Sequence, residues 1–90
     1  MKKAIESIEL PDGNVFIITK ELMTRSTALG RLVRNYMEKS KAANSDDEKY
    51  EAIRNMFLSI FNEIDAGNDN LRFEFRTTLM RNKFLANSTC

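Results

Sequence analysis

Ninety residues, 42% hydrophobic and 30% charged with three glycines, one proline and a net charge of +1, predict a single folded domain with no room for a second core. The absence of histidine removes Ser-His-Asp and Cys-His catalysis, His-containing zinc sites and an imidazole pH switch, while the lone cysteine, Cys90, excludes an intramolecular disulfide or a thiolate metal cage. The longest apolar run, Val15 to Ile18, falls far short of the roughly 20 residues of a spanning helix, so the chain is expected in the cytoplasm, without a membrane partner or a signal peptide.

The chain opens with a predicted β-hairpin over residues 1–19. Ile8 and Leu10 run into Pro11-Asp12-Gly13-Asn14, where proline presets one turn dihedral and glycine supplies a positive φ. The β-branched and aromatic Val15-Phe16-Ile17-Ile18-Thr19 follows as the second strand. A hairpin alone is marginal in water and needs a partner surface.

From Lys20 the apolar period becomes helical. Leu22, Leu29, Leu32, Val33, Tyr36 and Met37, with Thr19 as an available N-cap, predict one helix over 20–41. Gly30 in its interior costs roughly 1 kcal/mol relative to alanine, so it either kinks the helix or admits the close approach of another backbone. Ser45-Asp46-Asp47-Glu48 then has the spacing of a capping box with acids in the first turn. Tyr50, Ile53, Phe57, Ile60 and Ile64 keep a helical 3-4 spacing, and Gly67 stands as a terminator, so a second helix is predicted over 45–66.

Charge is segregated along these elements. Residues 20–41 carry a balance of +4 and residues 44–67 a balance of −4, which favours antiparallel packing of the two helices. The tail element over 71–86 reads two ways. Leu71, Phe73, Phe75, Thr77 and Leu79 alternate as in a strand, whereas Phe73, Thr77, Met80 and Phe84 form a helical stripe with Asn70 as its cap. The predicted fold is therefore mainly α: an antiparallel two-helix hairpin with a short N-terminal β-hairpin and a C-terminal helix or strand.

The second helix carries more apolar side chains than one partner helix can bury. A homo-oligomer is expected, with Met56, Phe57, Leu58, Phe61, Phe73 and Phe75 as partner contacts; the alternative is an ordinary monomeric core. No phosphate loop, metal-ligand spacing or paired catalytic carboxylates occur, so neither metal, cofactor nor catalytic residues are expected. The candidates for ligand binding are basic and hydroxyl side chains: Thr24, Arg25, Ser26, Thr27 and Arg31, with Arg54 in the acidic segment and Arg72 and Arg76 in the tail. Guanidinium offers a bidentate fork to phosphate and hydroxyls add single bonds. A solvated face pairing with its acidic neighbour is the other reading of the same residues. A pI near 7.8 lacks the basic footprint of a polymeric nucleic-acid binder.

Ala28-Leu29-Gly30 followed by Leu32-Val33, then an acidic polar loop, then Tyr50, Ala52-Ile53 and Arg54, resembles the phage-encoded anti-CBASS sponge proteins, small helical anti-defence proteins that sequester cyclic oligonucleotide signals. The resemblance implies a homo-oligomer holding cyclic nucleotides between protomers. It also implies Arg54 on phosphate, residues near Thr24 to Thr27 completing the pocket, and Phe16 or Tyr36 stacking on a base. The competing expectation is a small regulator or inhibitor that blocks a host or partner protein through an apolar helix face.

Overall fold

The computed structural model describes residues 4–88, and side chains over 5–83. Two strands, β1 (Ala4–Glu9) and β2 (Val15–Thr19), precede α1 (Lys20–Met23), α2 (Ala28–Ala42), α3 (Asp46–Asp65) and α4 (Asp69–Ser88), so the protein is mainly helical with an N-terminal antiparallel β-hairpin. The predicted turn closes through Gly13 N donating to the Leu10 carbonyl at 3.0 Å and Leu10 N to that of Asn14 at 2.8 Å. Gly13 takes φ +89°, a value that a β-carbon would penalise.

Ile8 pairs with Phe16 and Glu6 with Ile18 across the hairpin, and pleating sends this face inward. Ile8, Phe16 and Ile18 are buried. Glu6 shares their face as a carboxylate and is satisfied from two helices: the Tyr36 hydroxyl of α2 donates to it, and Lys49 Nζ of α3 lies 3.7 Å away. Burial is the first cause and the Glu6 hydrogen bond the second that push the Tyr36 phenol up to about 12.

The single helix predicted over 20–41 is broken. Thr24 to Thr27 form a loop between α1 and α2. Hydroxyl side chains compete with helical hydrogen bonds, and three of these four residues carry one. Thr24 Oγ1 donates back to the Glu21 carbonyl at 2.9 Å, while Thr27 caps α2 by accepting from Gly30 N at 3.3 Å. The break frees carbonyls, and Arg34 Nη1 takes two of them, Met23 O at 2.7 Å and Arg25 O at 2.6 Å. Gly30 serves close backbone approach, but to the preceding loop: a β-carbon there would lie 2.4 Å from the Arg25 carbonyl oxygen.

Helix α3 starts on a variant of the predicted capping box, in which Glu48 reaches past the Ser45 cap to the residue before it. Ser45 Oγ accepts from Glu48 N at 3.2 Å, and Glu48 turns back to accept from Asn44 N at 2.6 Å. It ends in a Schellman motif: Gly67, at φ +101°, donates to Ile64 O, and Asn68 N donates to Glu63 O, both at 3.0 Å. Asn68, rather than Asn70, then caps α4 by accepting from Leu71 N at 3.1 Å. The tail is helix throughout, because Leu71 and Phe75, one turn apart, are buried while Phe73 between them is 71% exposed.

Helices α2 and α3 run antiparallel: Arg31 near the start of α2 faces Glu63 near the end of α3, while Ala42 at the end of α2 shares a cleft with Glu48 at the start of α3. Their opposite charges make little of the joint, with Arg31 and Glu63 at 3.8 Å across it. The interface is apolar instead, built from Leu29, Val33, Tyr36, Ala52, Met56 and Ile60. Helix α4 closes the core against β2, where Phe16 meets Phe57 edge-on at 5.6 Å and Phe75 at 5.9 Å between ring centroids. Among the described residues, no helix is long and apolar enough to cross a membrane.

Candidate ligand groove

The sequence-predicted anion ligands do not converge. Arg25 lies between two carboxylates, with Glu21 at 3.0 Å and Glu74 at 3.1 Å. Its hydrogen bond to Glu21 is the largest influence holding its guanidinium above the ordinary pKa, with burial opposing and Glu74 adding to it. Thr27 Oγ1 donates to the same Glu74 oxygen at 2.8 Å, and Thr24 is bonded within its own turn. Arg25 and Thr27 clip the loop to α4, so both side chains are already bonded inside the chain. Arg31 sits near Glu63 and Arg72 near Asp69 at 3.5 Å. Ser26 and Arg76 are exposed and, among the described residues, unpaired. Within one chain Thr24 to Thr27 share no cleft with Arg54 among the described residues. Arg25 and Thr27 line a cleft with Phe73 and Glu74, and Arg54 lines a different one.

That other cleft is an open groove of about 550 Å³ between the β-hairpin turn and α3. Leu10, Pro11 and Asp12 form one lip, Phe57, Leu58 and Phe61 the floor, and Tyr50 and Arg54 stand along α3. Helical geometry explains the row, since residues 50, 54, 57–58 and 61 recur at i+4, i+7–8 and i+11 on one face. The floor is anchored to the core, because Phe61 packs against Phe75 edge-on at 5.8 Å and stacks with Phe57 at 6.4 Å. Tyr50 is 72% exposed, Leu58 48% and Phe61 47%. Arg54 has no ion pair or hydrogen bond among the described residues, which leaves its five donors available.

Opposite Arg54, Asp12 is held still by the turn. Its Oδ1 accepts from Asn14 N at 3.0 Å and its Oδ2 from Asn14 Nδ2 at 2.9 Å. The groove thus combines an unpaired guanidinium, two part-exposed aromatic rings and a fixed carboxylate on an apolar floor. Such a surface can stack on a planar ring, hold an anion and accept hydrogen bonds.

The stacking residues expected from the sequence are wrong, because Phe16 is fully buried and Tyr36 is 2% exposed. The most exposed ring that shares a groove with Arg54 is Tyr50. Its spacing with Ile53 and Phe57 assigned it to the core stripe, yet α3 buries Ala52, Met56, Phe57 and Ile60 and turns Tyr50 outward. The available signal was its place in the solvated first turns, directly behind the acidic capping box. Of the expected partner contacts, Met56, Phe57 and Phe75 belong to the chain's own core, whereas Leu58, Phe61 and Phe73 remain exposed. Compared with known protein families, with characterised proteins and with solved structures, the chain matches none.

Proposed function

We propose that the protein is a non-catalytic binding protein that sequesters a small nucleotide in the Tyr50–Arg54–Phe61 groove. In the form that the resemblance to anti-CBASS sponges implies, the ligand is a cyclic oligonucleotide held between protomers of a homo-oligomer, in the cytoplasm of a phage-infected cell. The observation that carries this reading is Arg54, unpaired on an apolar groove between Tyr50 and Phe61. A guanidinium there meets phosphate as a fork, and an aromatic face stacks on any base for roughly 1–3 kcal/mol. A second copy laid over Leu58 and Phe61 would close the open side and cover apolar surface that water now meets.

Thermal denaturation against a panel of cyclic di- and trinucleotides tests it, because a ligand bound to the native state raises stability by RT ln(1 + [L]/Kd). Some members of the panel raise Tm by several degrees in the wild type, and Arg54→Ala removes the shift. Unchanged affinity in Arg54→Ala, or no shift at saturation, refutes the reading. A second reading, a regulator that blocks a partner protein, is favoured by Phe73 and Met80, 71% and 69% exposed at i, i+7 on α4. Loss of binding to a candidate partner in Phe73→Ser, with nucleotide binding intact, would assign that role to α4.

A further inference from the structure

We infer that the outward face of α4 docks on the outward face of α3 in a second copy of the chain; this rests on the oligomer of the reading above and not on its ligand. Asp69, Arg72, Phe73, Arg76, Met80 and Lys83 recur along α4 within roughly 100° of its circumference at 3.6 residues per turn, and all six are exposed. They stand opposite Leu71, Phe75 and Asn82, which are buried. The same geometry lines up Asp47, Glu51 and Asp65 on α3 with Tyr50, Leu58 and Phe61, and Arg54 falls among them. Every member of that stripe is exposed as well, opposite the buried Ala52, Met56 and Ile60. Each helix therefore carries a second amphipathic stripe, turned away from the core that both helices enclose, so the two stripes cannot meet within one chain.

Charge decides which stripe meets which. The α4 stripe carries a balance of +2 and the α3 stripe a balance of −2. Arg72 shares Asp69 within its own helix at 3.5 Å. Arg76 and Lys83 on α4, and Asp47, Glu51 and Asp65 on α3, have no ion pair among the described residues. Laying α3 on α3, or α4 on α4, would set like charges against each other, which complementary interfaces avoid. Laying α4 on α3 sets free cations against free acids and covers Phe73 and Met80 with Tyr50, Leu58 and Phe61. Aromatic residues, methionine and arginine are the types enriched where proteins meet, and methionine adapts its shape to the surface it covers. The stripes also match in length, about 21 Å from Asp69 to Lys83 and about 27 Å from Asp47 to Asp65 at 1.5 Å per residue. The contact joins unlike faces, so a copy with one intact face can still pair with a copy that keeps the other.

The test is sedimentation velocity on the full chain, alone and in mixtures. The wild type sediments at twice the 10.4 kDa of one chain or more. Met80→Glu disables the α4 face and Leu58→Lys the α3 face, each by opposing the charges that its face must meet, and each variant alone sediments as monomer. Mixed in equal amounts they regain a one-to-one dimer, because each supplies the face that the other lacks. A Met80→Glu protein that still assembles, or a mixture that stays monomeric, overturns the pairing of α4 with α3 while leaving the wild-type oligomer in place. A wild type that is monomeric at every concentration overturns this docking and the oligomer together, and leaves the α4 face to a protein partner; a cyclic nucleotide that still raises its Tm keeps the groove. Both substitutions fall at exposed positions. Should Met80→Glu fold poorly, Arg76→Glu disables the same face and carries the same expectation.

Discussion

Replacing Gly30 by alanine should destabilise the protein even though alanine is the better helix former. The added methyl would sit 2.4 Å from the Arg25 carbonyl oxygen and 3.1 Å from both its carbonyl carbon and its Cβ. The nearest atom is backbone, and ordinary contact begins at 3.4 Å, so the loop must retreat by about 1 Å. That oxygen also accepts from Arg34 at 2.6 Å, so the retreat strains a hydrogen bond to a charged donor. Overpacking costs roughly 1–3 kcal/mol, and losing such a bond adds up to roughly 1.5–3 kcal/mol. The gain in helix propensity returns about 1 kcal/mol. With both costs incurred the net is a loss of about 1.5–5 kcal/mol. For a domain of this size each kcal/mol moves Tm by roughly 4–8 °C, so circular dichroism should follow unfolding at least several degrees below wild type. Because Arg34→Ala acts on the same carbonyl, the double variant should fall short of the sum of the two singles. A Gly30→Ala protein as stable as wild type would refute the close approach as the reason for glycine here.

Tyr36 predicts an alkaline transition. Its folded pKa, about 12 against an ordinary 10, means that its stabilisation is complete below pH 10 and lost as pH rises through 12. Absorbance at 295 nm should show a phenol ionising in step with unfolding, and Tyr36→Phe should remove that step and cost about 1 kcal/mol. Glu74→Ala should cost about 1–2 kcal/mol in urea denaturation by releasing both Arg25 and Thr27, with Glu74→Gln losing less because it still accepts from Thr27. Leu58→Lys, at a half-exposed position, should leave monomer stability within about 0.5 kcal/mol. In analytical ultracentrifugation it should shift an oligomer joined through α3 towards monomer.

Local chemistry made some of these elements legible. Pro11 and Gly13 announce the hairpin turn, Ser45 and Glu48 the start of α3, and Gly67 its end; each acts through atoms a few residues away. The break at Thr24 to Thr27 was hidden because Leu22 and Leu29 keep helical phase across it, and because Arg34, which stabilises it, acts from nine and eleven residues downstream. In α4, the alternation of Leu71, Phe73 and Phe75 imitates a strand; only the arrival of β2 and α3 on one side decides that Leu71 and Phe75 go in and Phe73 stays out. The groove was half legible. Arg54 stood out in its acidic segment, but Asp12 read as a turn residue and Tyr50 as core, since their neighbourhood exists only once the hairpin turn lies beside α3.

The aromatic cluster joins β2 to α4, with Phe16 and Phe75 in contact, and this sets an order of events at the ribosome. Helix α4 is the last of the described elements to be synthesised, so β1 through α3 emerge before the surface that packs Phe75 on Phe16 exists. That side of the aromatic cluster must stay open, or sheltered by a chaperone, until Phe75 arrives. A stop codon just before Leu71 therefore costs the cell more than a missing tail: it leaves β1 through α3 with an open core.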